Sequence, residues 1–432
     1  MLPTAPLVVR PLRSPPTLRW RVPGSKSITN RALPLAALAD GTSTLRGVLH
    51  SDDTRYMRGA LEALGIPIRD AGPTTLEVDG GRHRLRAPGQ DLFVGNSGTT
   101  VRFLTALAAL VDGPVTLVGD AHMAKRPISD LVDGLRQLGV TIDCPTGCPP
   151  LTVHGGRLPG GSLSMRGDRS SQYFSALLMA GPVAEGAIAI RVERGLVSRP
   201  YVDVTCRMIA DFGGRVDSSP DAFFVHPIAR YVPRTYDVEP DASSASYAFA
   251  VAAATGGTVT VPDLGRGALQ GDYQFVDLLA RAGATVERGD DETTVRGALA
   301  LHGVDADMHH ISDTVMTMAA LAVLADGPTT IRNVANIRIK ETDRLAATVT
   351  ELTRLGQEVT YGEDWLRIEP RPVRPAVVHC YGDHRIAMSF AVLGLARPGV
   401  TIEDPACVAK TYPTFWDDFA ACYRAVGEAP PF

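Results

Sequence analysis

Ten charged side chains recur at equivalent places along the 432-residue chain and have the chemistry to bind small anions and move protons. Eight of them are cationic: Lys26, Arg31, Arg102, Arg126, Lys340, Arg344, Arg385 and Lys410. Arginine forms paired hydrogen bonds with phosphate or carboxylate, whereas lysine supplies a compact charge and a proton donor. Two carboxylates, Asp313 and Glu341, stand in the same contexts and are candidates for proton transfer. Each of these residues also has an ordinary interpretation when it is taken singly. A cation can be a solvated surface residue, Asp313 can be a helix N-cap, and Glu341 can balance charge on a helix.

These residues lie in or just after six polar segments, here called lead-ins, or in loops that follow the first strands. The lead-ins are GSKSITNR (24–31), GNSGTTVR (95–102), GDRSSQY (167–173), DASSASY (241–247), HISDTVM (310–316) and YGDHRIAM (381–388). Their Ser, Thr, Asn and Asp residues are typical helix N-caps. A helix N-terminus also carries unpaired N–H groups and partial positive charge, so lead-ins that face one place would bind anions.

Each lead-in opens a unit that recurs six times at intervals of roughly 70 residues. A copy consists of an Ala-rich helix, a turn glycine, a strand, a polar loop, a second helix and further strand sequence. The turn glycines are Gly41, Gly113, Gly186, Gly257, Gly327 and Gly399. The second helices end at glycines in EALGIPI, RQLGVTI, ADFGGRV, ARAGATV, TRLGQEV and YRAVGEA, because glycine accepts the left-handed conformation. Six copies predict two domains of three, with a boundary near residues 234–240.

Composition and charge argue against several classes of protein. The net charge of −4 offers no general polyanion-binding surface, so no nucleic-acid partner is expected. No stretch of about 20 apolar residues suggests a membrane helix, and the opening residues lack the apolar core of a signal peptide. We therefore expect a cytoplasmic protein with six reduced cysteines. Cys144 and Cys148 lack the further ligands of a zinc site, and the familiar nucleotide-loop, metalloprotease and serine-hydrolase motifs are absent.

Ten ordered motifs, covering about residues 20–420, resemble those of the enolpyruvyl transferases, and in particular the EPSP synthase (3-phosphoshikimate 1-carboxyvinyltransferase) family. They are VPGSKSITNRAL, GNSGTTVRFL, AKRPISDLVDGLRQLG, GDRSSQYFSALLMAGP, VSRPYVDVT, EPDASSASYAFA, HISDTVMTMA, NIRIKETDRLAATVTEL, YGDHRIAMSFAV and DPACVAKTYPTF. The set in this order is far more specific than any single motif.

The resemblance implies an α/β fold, a two-domain inside-out α/β barrel in which each domain contains three repeated βαβαββ-type units. By the same analogy, residues 22–238 form the first domain, mainly on the shikimate 3-phosphate side. Residues 1–21 and 239–432 form the second, mainly on the phosphoenolpyruvate side. The active site is expected in the cleft between the domains, which close over the substrates.

The reaction implied by the resemblance transfers the enolpyruvyl group of phosphoenolpyruvate to the 5-hydroxyl of shikimate 3-phosphate and releases phosphate, in chorismate and aromatic amino-acid biosynthesis. Positions that match shikimate 3-phosphate ligands are Lys26, Ser27, Arg31, Ser170, Ser171, Gln172, Ser198, Asp313, Asn336 and Lys340. Positions that match phosphoenolpyruvate ligands are Lys26, Asn96, Gly98, Arg126, Gln172, Arg344, Arg385 and Lys410. Asp313, Glu341 and Lys26 match catalytic residues. No metal or organic cofactor is implied, and we expect a monomer.

Two other enzyme classes and a non-catalytic class are the alternatives. The related UDP-N-acetylglucosamine enolpyruvyl transferases generally use a reactive cysteine near Arg126, and the segment GDAHMAKRPISD has none. A 3′-phosphate cyclase that processes nucleic acid predicts an extended basic surface. A catalytically dead metabolite sensor predicts loss of Lys26, Asp313 or Glu341. Two departures from the family pattern are Phe103, which leaves glyphosate sensitivity open, and Arg169, to which we assign no role.

Overall fold

The computed structural model describes residues 3–432 as alternating helices and strands. The helices are α1 Lys26–Leu38, α2 Asp52–Ala63, α3 Gly98–Ala108, α4 Ser129–Gln137, α5 Ser171–Ala180, α6 Arg199–Asp211, α7 Ala242–Thr255, α8 Phe275–Arg281, α9 Val315–Ala322, α10 Arg344–Arg354, α11 His384–Ala396 and α12 Phe415–Ala425. The strands are β1 Leu7–Val9, β2 Thr17–Arg19, β3 Gly41–Arg46, β4 Ile68–Gly72, β5 Thr75–Gly80, β6 Leu92–Phe93, β7 Pro114–Val118, β8 Thr141–Asp143, β9 Leu151–His154, β10 Gly161–Arg166, β11 Ile188–Glu193, β12 Arg215–Ser218, β13 Ala222–His226, β14 Thr235–Asp237, β15 Thr258–Pro262, β16 Thr285–Arg288, β17 Glu292–Arg296, β18 Asp305–Asp307, β19 Thr329–Arg332, β20 Glu358–Tyr361, β21 Leu366–Glu369, β22 Ala376–Val378 and β23 Val400–Ile402.

The chain divides into two compact units, each with its own hydrophobic core. The first unit is Gly24–Val238. The second unit consists of the segment that ends at Pro23 together with Glu239–Phe432. No helix in residues 3–432 has the length and apolar character needed to cross a membrane.

The same sheet recurs three times in each unit. In the first unit the strand orders are β14-β3-β5-β4, β6-β7-β9-β8 and β10-β11-β13-β12. In the second unit they are β2-β15-β17-β16, β18-β19-β21-β20 and β22-β23-β1. Every sheet begins with a parallel pair and continues antiparallel. The predicted α/β fold of repeated units is therefore confirmed, and the last copy has three strands.

The first helix of each repeat is buried on nearly all sides. In α3, for example, every residue from Gly98 to Ala108 is buried. Such helices read as apolar throughout in the sequence, which explains the Ala-rich segments. The second helices, such as α4, bury one face only. A buried first helix fixes its lead-in at a defined place in the unit.

Five of the six lead-ins supply the predicted helix cap. Side chains accept hydrogen bonds from the first turn of α1, α3, α5, α7 and α11. The exception is HISDTVM, where Ser312–Thr314 forms a 3-10 turn and α9 has no side-chain cap. Asp313 is therefore not an N-cap, and its carboxylate is directed elsewhere.

Candidate active site

In the first unit, the loop after β7 brings Arg126 against the lead-in of α3. Arg126 Nη1 donates to the Asn96 carbonyl oxygen (3.0 Å) and to Asn96 Oδ1 (3.1 Å). A Cβ on Gly98 would lie 2.4 Å from Arg126 Nη2 and 2.8 Å from Arg102 Nη1, so glycine leaves room for both guanidinium groups. Two arginines at one lead-in make this part of the unit suitable for an anion.

Arg102 connects this lead-in to the lead-in of α5. Its Nη1 donates to Gln172 Oε1 at 2.6 Å, and Gln172 Nε2 donates to Thr99 Oγ1 at 3.4 Å. Ser170 caps α5 by accepting a hydrogen bond from the Gln172 N–H. The predicted phosphoenolpyruvate positions Asn96, Gly98, Arg126 and Gln172 thus lie together. Sequence reasoning counted Arg102 among the cations but gave it no ligand.

Lys26 is paired with a carboxylate that sequence reasoning missed. Lys26 Nζ lies 3.4 Å from Asp53 Oδ2, and the Asp53 side chain is only 4% exposed. The Asp53 carbonyl oxygen accepts a hydrogen bond from Thr100 Oγ1 at 3.2 Å, which ties α2 to α3. The acidic first turn of α2 in SDDTR was the available signal, although such residues commonly serve the helix dipole.

Arg31 is 2% exposed and bonds mainly to neighbouring helices. It donates to Thr205 Oγ1, Ser175 Oγ and the carbonyl oxygens of Ser27 and Tyr201. Burial lowers its pKa to about 10. Phe103, one of the two departures from the family pattern, packs against it with the guanidinium 5.3 Å from the ring centre. These contacts make Arg31 an anchor between α1, α5 and α6.

The remaining predicted positions of the first unit lie at helix N-termini. Ser171 is the first residue of α5 and is buried. Ser198 is buried directly before α6, with a left-handed φ of 49°. Arg169, the other departure, pairs with Asp130 at 3.3 Å.

In the second unit, Asp313 lies among three cations. Its Oδ1 is 3.1 Å from Arg344 Nη1 and 3.7 Å from Lys340 Nζ. Its Oδ2 is 2.9 Å from Arg385 Nη2. Three positive charges stabilise the ionised carboxylate, which is the form a general base requires.

Glu341 precedes α10 and is directed toward the same arginine. Its Oε2 is 2.7 Å from Arg344 Nη2, and its Oε1 is 3.5 Å from Lys410 Nζ. The side chain is 8% exposed. Glu341 therefore lies beside Asp313 with one guanidinium between them. Its pairing with Arg344, three residues later, also fits the alternative of charge balance.

Arg344 is the centre of this cluster and is held by Asp383. Arg344 Nε donates to Asp383 Oδ2 at 2.7 Å and Nη2 donates to Oδ1 at 3.3 Å. Burial alone would lower the pKa of Arg344, but the carboxylates of Asp383, Glu341 and Asp313 raise it above its ordinary value. Sequence reasoning treated Asp383 only as part of a helix cap, a role it also has through the Arg385 N–H.

Two further contacts complete the second-unit cluster. Asn336 Nδ2 donates to Ser312 Oγ at 3.0 Å beside Asp313. Arg385 Nη1 donates to the Tyr247 hydroxyl at 3.5 Å. Four cations and three carboxylates thus meet within one unit, a combination of groups that can bind an anionic ligand and transfer protons.

Repeated α/β units whose lead-ins gather arginine, lysine and carboxylate side chains define a class of enzyme that binds small anionic metabolites without a nucleotide loop. The EPSP synthase (3-phosphoshikimate 1-carboxyvinyltransferase) family model matches residues 17–419. The chain therefore belongs to the EPSP synthase family.

Similar proteins agree with this assignment over nearly their whole length. A 3-phosphoshikimate 1-carboxyvinyltransferase of Trichormus variabilis is 44% identical over 98% of this chain and 99% of the relative. One from Shewanella piezotolerans is 47% identical over 93% of this chain and 95% of the relative. A solved EPSP synthase from Acinetobacter baumannii has a TM-score of 0.82 and 28% identity, and the match covers 97% of this chain and 98% of the other.

Proposed function

We propose that this chain transfers the enolpyruvyl group of phosphoenolpyruvate to the 5-hydroxyl of shikimate 3-phosphate, giving 5-enolpyruvylshikimate 3-phosphate and phosphate, in chorismate and aromatic amino-acid biosynthesis. The observation that carries the proposal is the shared contact of Asp313 and Glu341 with Arg344. Asp313 and Glu341 can transfer different protons, and both lie beside Arg344, a cation able to bind phosphoenolpyruvate.

The substrates are assigned to the residues that the family pattern and the contacts connect. Phosphoenolpyruvate is bound by Lys26, Asn96, Gly98, Arg126, Gln172, Arg344, Arg385 and Lys410. Shikimate 3-phosphate is bound by Lys26, Ser27, Arg31, Ser170, Ser171, Gln172, Ser198, Asp313, Asn336 and Lys340. The Arg31 guanidinium already donates four hydrogen bonds within the protein. We therefore expect the main-chain atoms and hydroxyls around Arg31 to contribute more to binding shikimate 3-phosphate than the guanidinium itself.

The reaction requires two proton movements in opposite directions. Asp313 accepts the proton of the 5-hydroxyl as its oxygen attacks C2 of phosphoenolpyruvate, and Glu341, assisted by Lys26, donates a proton to the methylene carbon. The resulting tetrahedral intermediate then loses phosphate by cleavage of the C–O bond, and a proton leaves the methyl group to restore the double bond. Arg344, Arg385 and Lys410 offset the charge that develops.

Each unit supplies a different part of this chemistry in the proposal. The first unit, with Lys26, Arg126 and Gln172, supplies most of the positions assigned to shikimate 3-phosphate and part of those assigned to phosphoenolpyruvate. The second unit supplies both proton-transfer carboxylates and three donor-binding cations. Holding the two reactants in contact accounts for a large part of the rate enhancement in reactions of this type.

We assign the reaction to the cytoplasm and to a monomer that uses no nucleic acid. All six cysteines are free thiols, as expected for a reducing compartment. The net charge of −4 supports the absence of a nucleic-acid partner.

A phosphate-release assay with shikimate 3-phosphate and phosphoenolpyruvate tests the proposal. Phosphate should appear only when both substrates are present, in a 1:1 ratio to the enolpyruvyl product. Phosphate release from phosphoenolpyruvate alone, or none with both, contradicts it. Replacing shikimate 3-phosphate with UDP-N-acetylglucosamine separates the proposal from the related transferase class.

A further inference from the structure

Helix α10 contacts the lead-in of α11 at a second place, away from the charged cluster, through Glu351. Glu351 is fully buried. Its Oε1 accepts a hydrogen bond from the Tyr381 hydroxyl at 2.6 Å. Its Oε2 accepts from the His379 N–H and from Arg354 Nε, both at 3.1 Å. A buried carboxylate is costly unless it is paired and hydrogen-bonded, so these contacts are needed for its place in the fold.

The spacing along α10 puts this contact in line with the cluster. Glu351 follows Arg344 by seven residues, about two helical turns, and the two side chains project from one face. Arg344 is bonded to Asp383 through two N–H groups. One face of α10 thus holds the segment 379–383 at both of its ends.

The held segment has a backbone conformation that needs support. Tyr381 has a φ of 56°, in the left-handed region that non-glycine residues rarely adopt. The residue is 38% exposed, so its ring is only partly packed. Its ring contact with His379 lies within the same segment. Burial of the hydroxyl and its bond to Glu351 raise the pKa of Tyr381 to about 12, which keeps the hydroxyl a donor at neutral pH.

We propose that Glu351 and Tyr381 are positioning residues for the donor-binding arginines. They set the conformation of segment 379–383, so that Asp383 orients the Arg344 guanidinium and Arg385, in the first turn of α11, is directed to Asp313. Neither residue belongs to the positions assigned to either substrate. The inference rests on the proposed function and extends it to residues outside the predicted ligand sets.

The test compares Tyr381→Phe with Tyr361→Phe, since each loses one hydroxyl from an exposed tyrosine of the second unit. Loss of the hydrogen bond to Glu351 should raise the KM for phosphoenolpyruvate about threefold to tenfold. The KM for shikimate 3-phosphate should stay within about twofold, and Tyr361→Phe should match the wild type in both. A Tyr381→Phe enzyme with an unchanged KM for phosphoenolpyruvate overturns the proposal.

Glu351→Gln supplies the second variant. The amide keeps an acceptor for the Tyr381 hydroxyl but cannot accept from Tyr381, His379 and Arg354 together, so its KM for phosphoenolpyruvate should rise more than in Tyr381→Phe. If both KM values rise and kcat falls to a similar extent, together with a lower Tm, the pair has a purely structural role and the proposal is overturned. An inactive wild-type enzyme instead overturns the proposed function.

Discussion

At the scale of single residues, the chemistry depends on two carboxylates that share one guanidinium. Asp313 contacts Arg344, Lys340 and Arg385, whereas Glu341 contacts Arg344 and Lys410. In the proposed reaction Asp313 serves as the base and Glu341 as the acid that carries a proton to carbon.

Glu341→Gln should lower kcat by about 10²- to 10⁴-fold, because the amide cannot donate a proton to the methylene carbon. It should also abolish incorporation of solvent deuterium into the methylene group of phosphoenolpyruvate during turnover in D2O. Glu287→Gln, on an exposed strand of the same unit, is the control and should behave as wild type. Deuterium incorporation that persists in Glu341→Gln assigns the proton to another group.

Gly98→Ala should raise the KM for phosphoenolpyruvate by about threefold to tenfold. The added methyl group would collide with the ends of Arg126 and Arg102, and these flexible side chains must move away from the lead-in of α3. The fold should survive, because Gly98 has no left-handed backbone to lose. Initial rates at varied phosphoenolpyruvate measure the effect, and an unchanged KM would show that the two guanidinium groups do not need this geometry.

At the scale of elements, the repeat places each cap and each helix end by local rules. The six glycines that end the second helices all have positive φ: Gly65, Gly139, Gly213, Gly283, Gly356 and Gly427. Local sequence sufficed there because glycine is the residue that takes this conformation without strain. Local sequence was not sufficient at HISDTVM, because Asp313 forms ion pairs with Arg344 and Arg385 and does not cap α9.

Gly139→Ala and Gly59→Ala form a matched test of this rule, since an added Cβ meets nothing within 4 Å at either position. Gly139 has a φ of +87°, so alanine there should lower the free energy of unfolding by about 1 kcal/mol. Gly59 lies inside α2, where alanine should raise it by about 0.5–1 kcal/mol. Urea unfolding measures both, and changes of the same sign would contradict the role of backbone conformation.

At the scale of the whole molecule, the sequence revealed the six repeats and the fold class, because hydrophobic periodicity and glycine placement are local signals. It did not reveal Asp53 or the connecting role of Arg102. Their partners, Lys26 and Gln172, are contributed by other helices, and such pairings arise only from tertiary packing. The assignment of individual ligands remains a prediction from the family pattern.

Stability at high pH offers a test across the folded molecule. Burial raises the pKa of Tyr247 to about 12, above that of a tyrosine in the unfolded chain. The neutral hydroxyl therefore contributes its full stabilisation of the fold below pH ~10, and this contribution is lost as pH rises toward 12. Arg31 acts in the opposite sense, because burial lowers its pKa to about 10. The comparison of wild type with Tyr247→Phe isolates the tyrosine.

Between pH ~10 and 12 the wild type should lose about 2 kcal/mol of unfolding free energy relative to Tyr247→Phe. Denaturant unfolding at fixed ionic strength gives both curves. Parallel curves over this pH range would show that the Tyr247 hydroxyl titrates as it does in the unfolded chain.

Transfer of the enolpyruvyl group by attack at carbon is tested by following the bridging oxygen of phosphoenolpyruvate. With ¹⁸O in the C–O–P bridge and shikimate 3-phosphate as acceptor, mass spectrometry should find the label entirely in the released phosphate. Label in pyruvate or in any other carbon product means that the P–O bond breaks, and would contradict the assigned reaction.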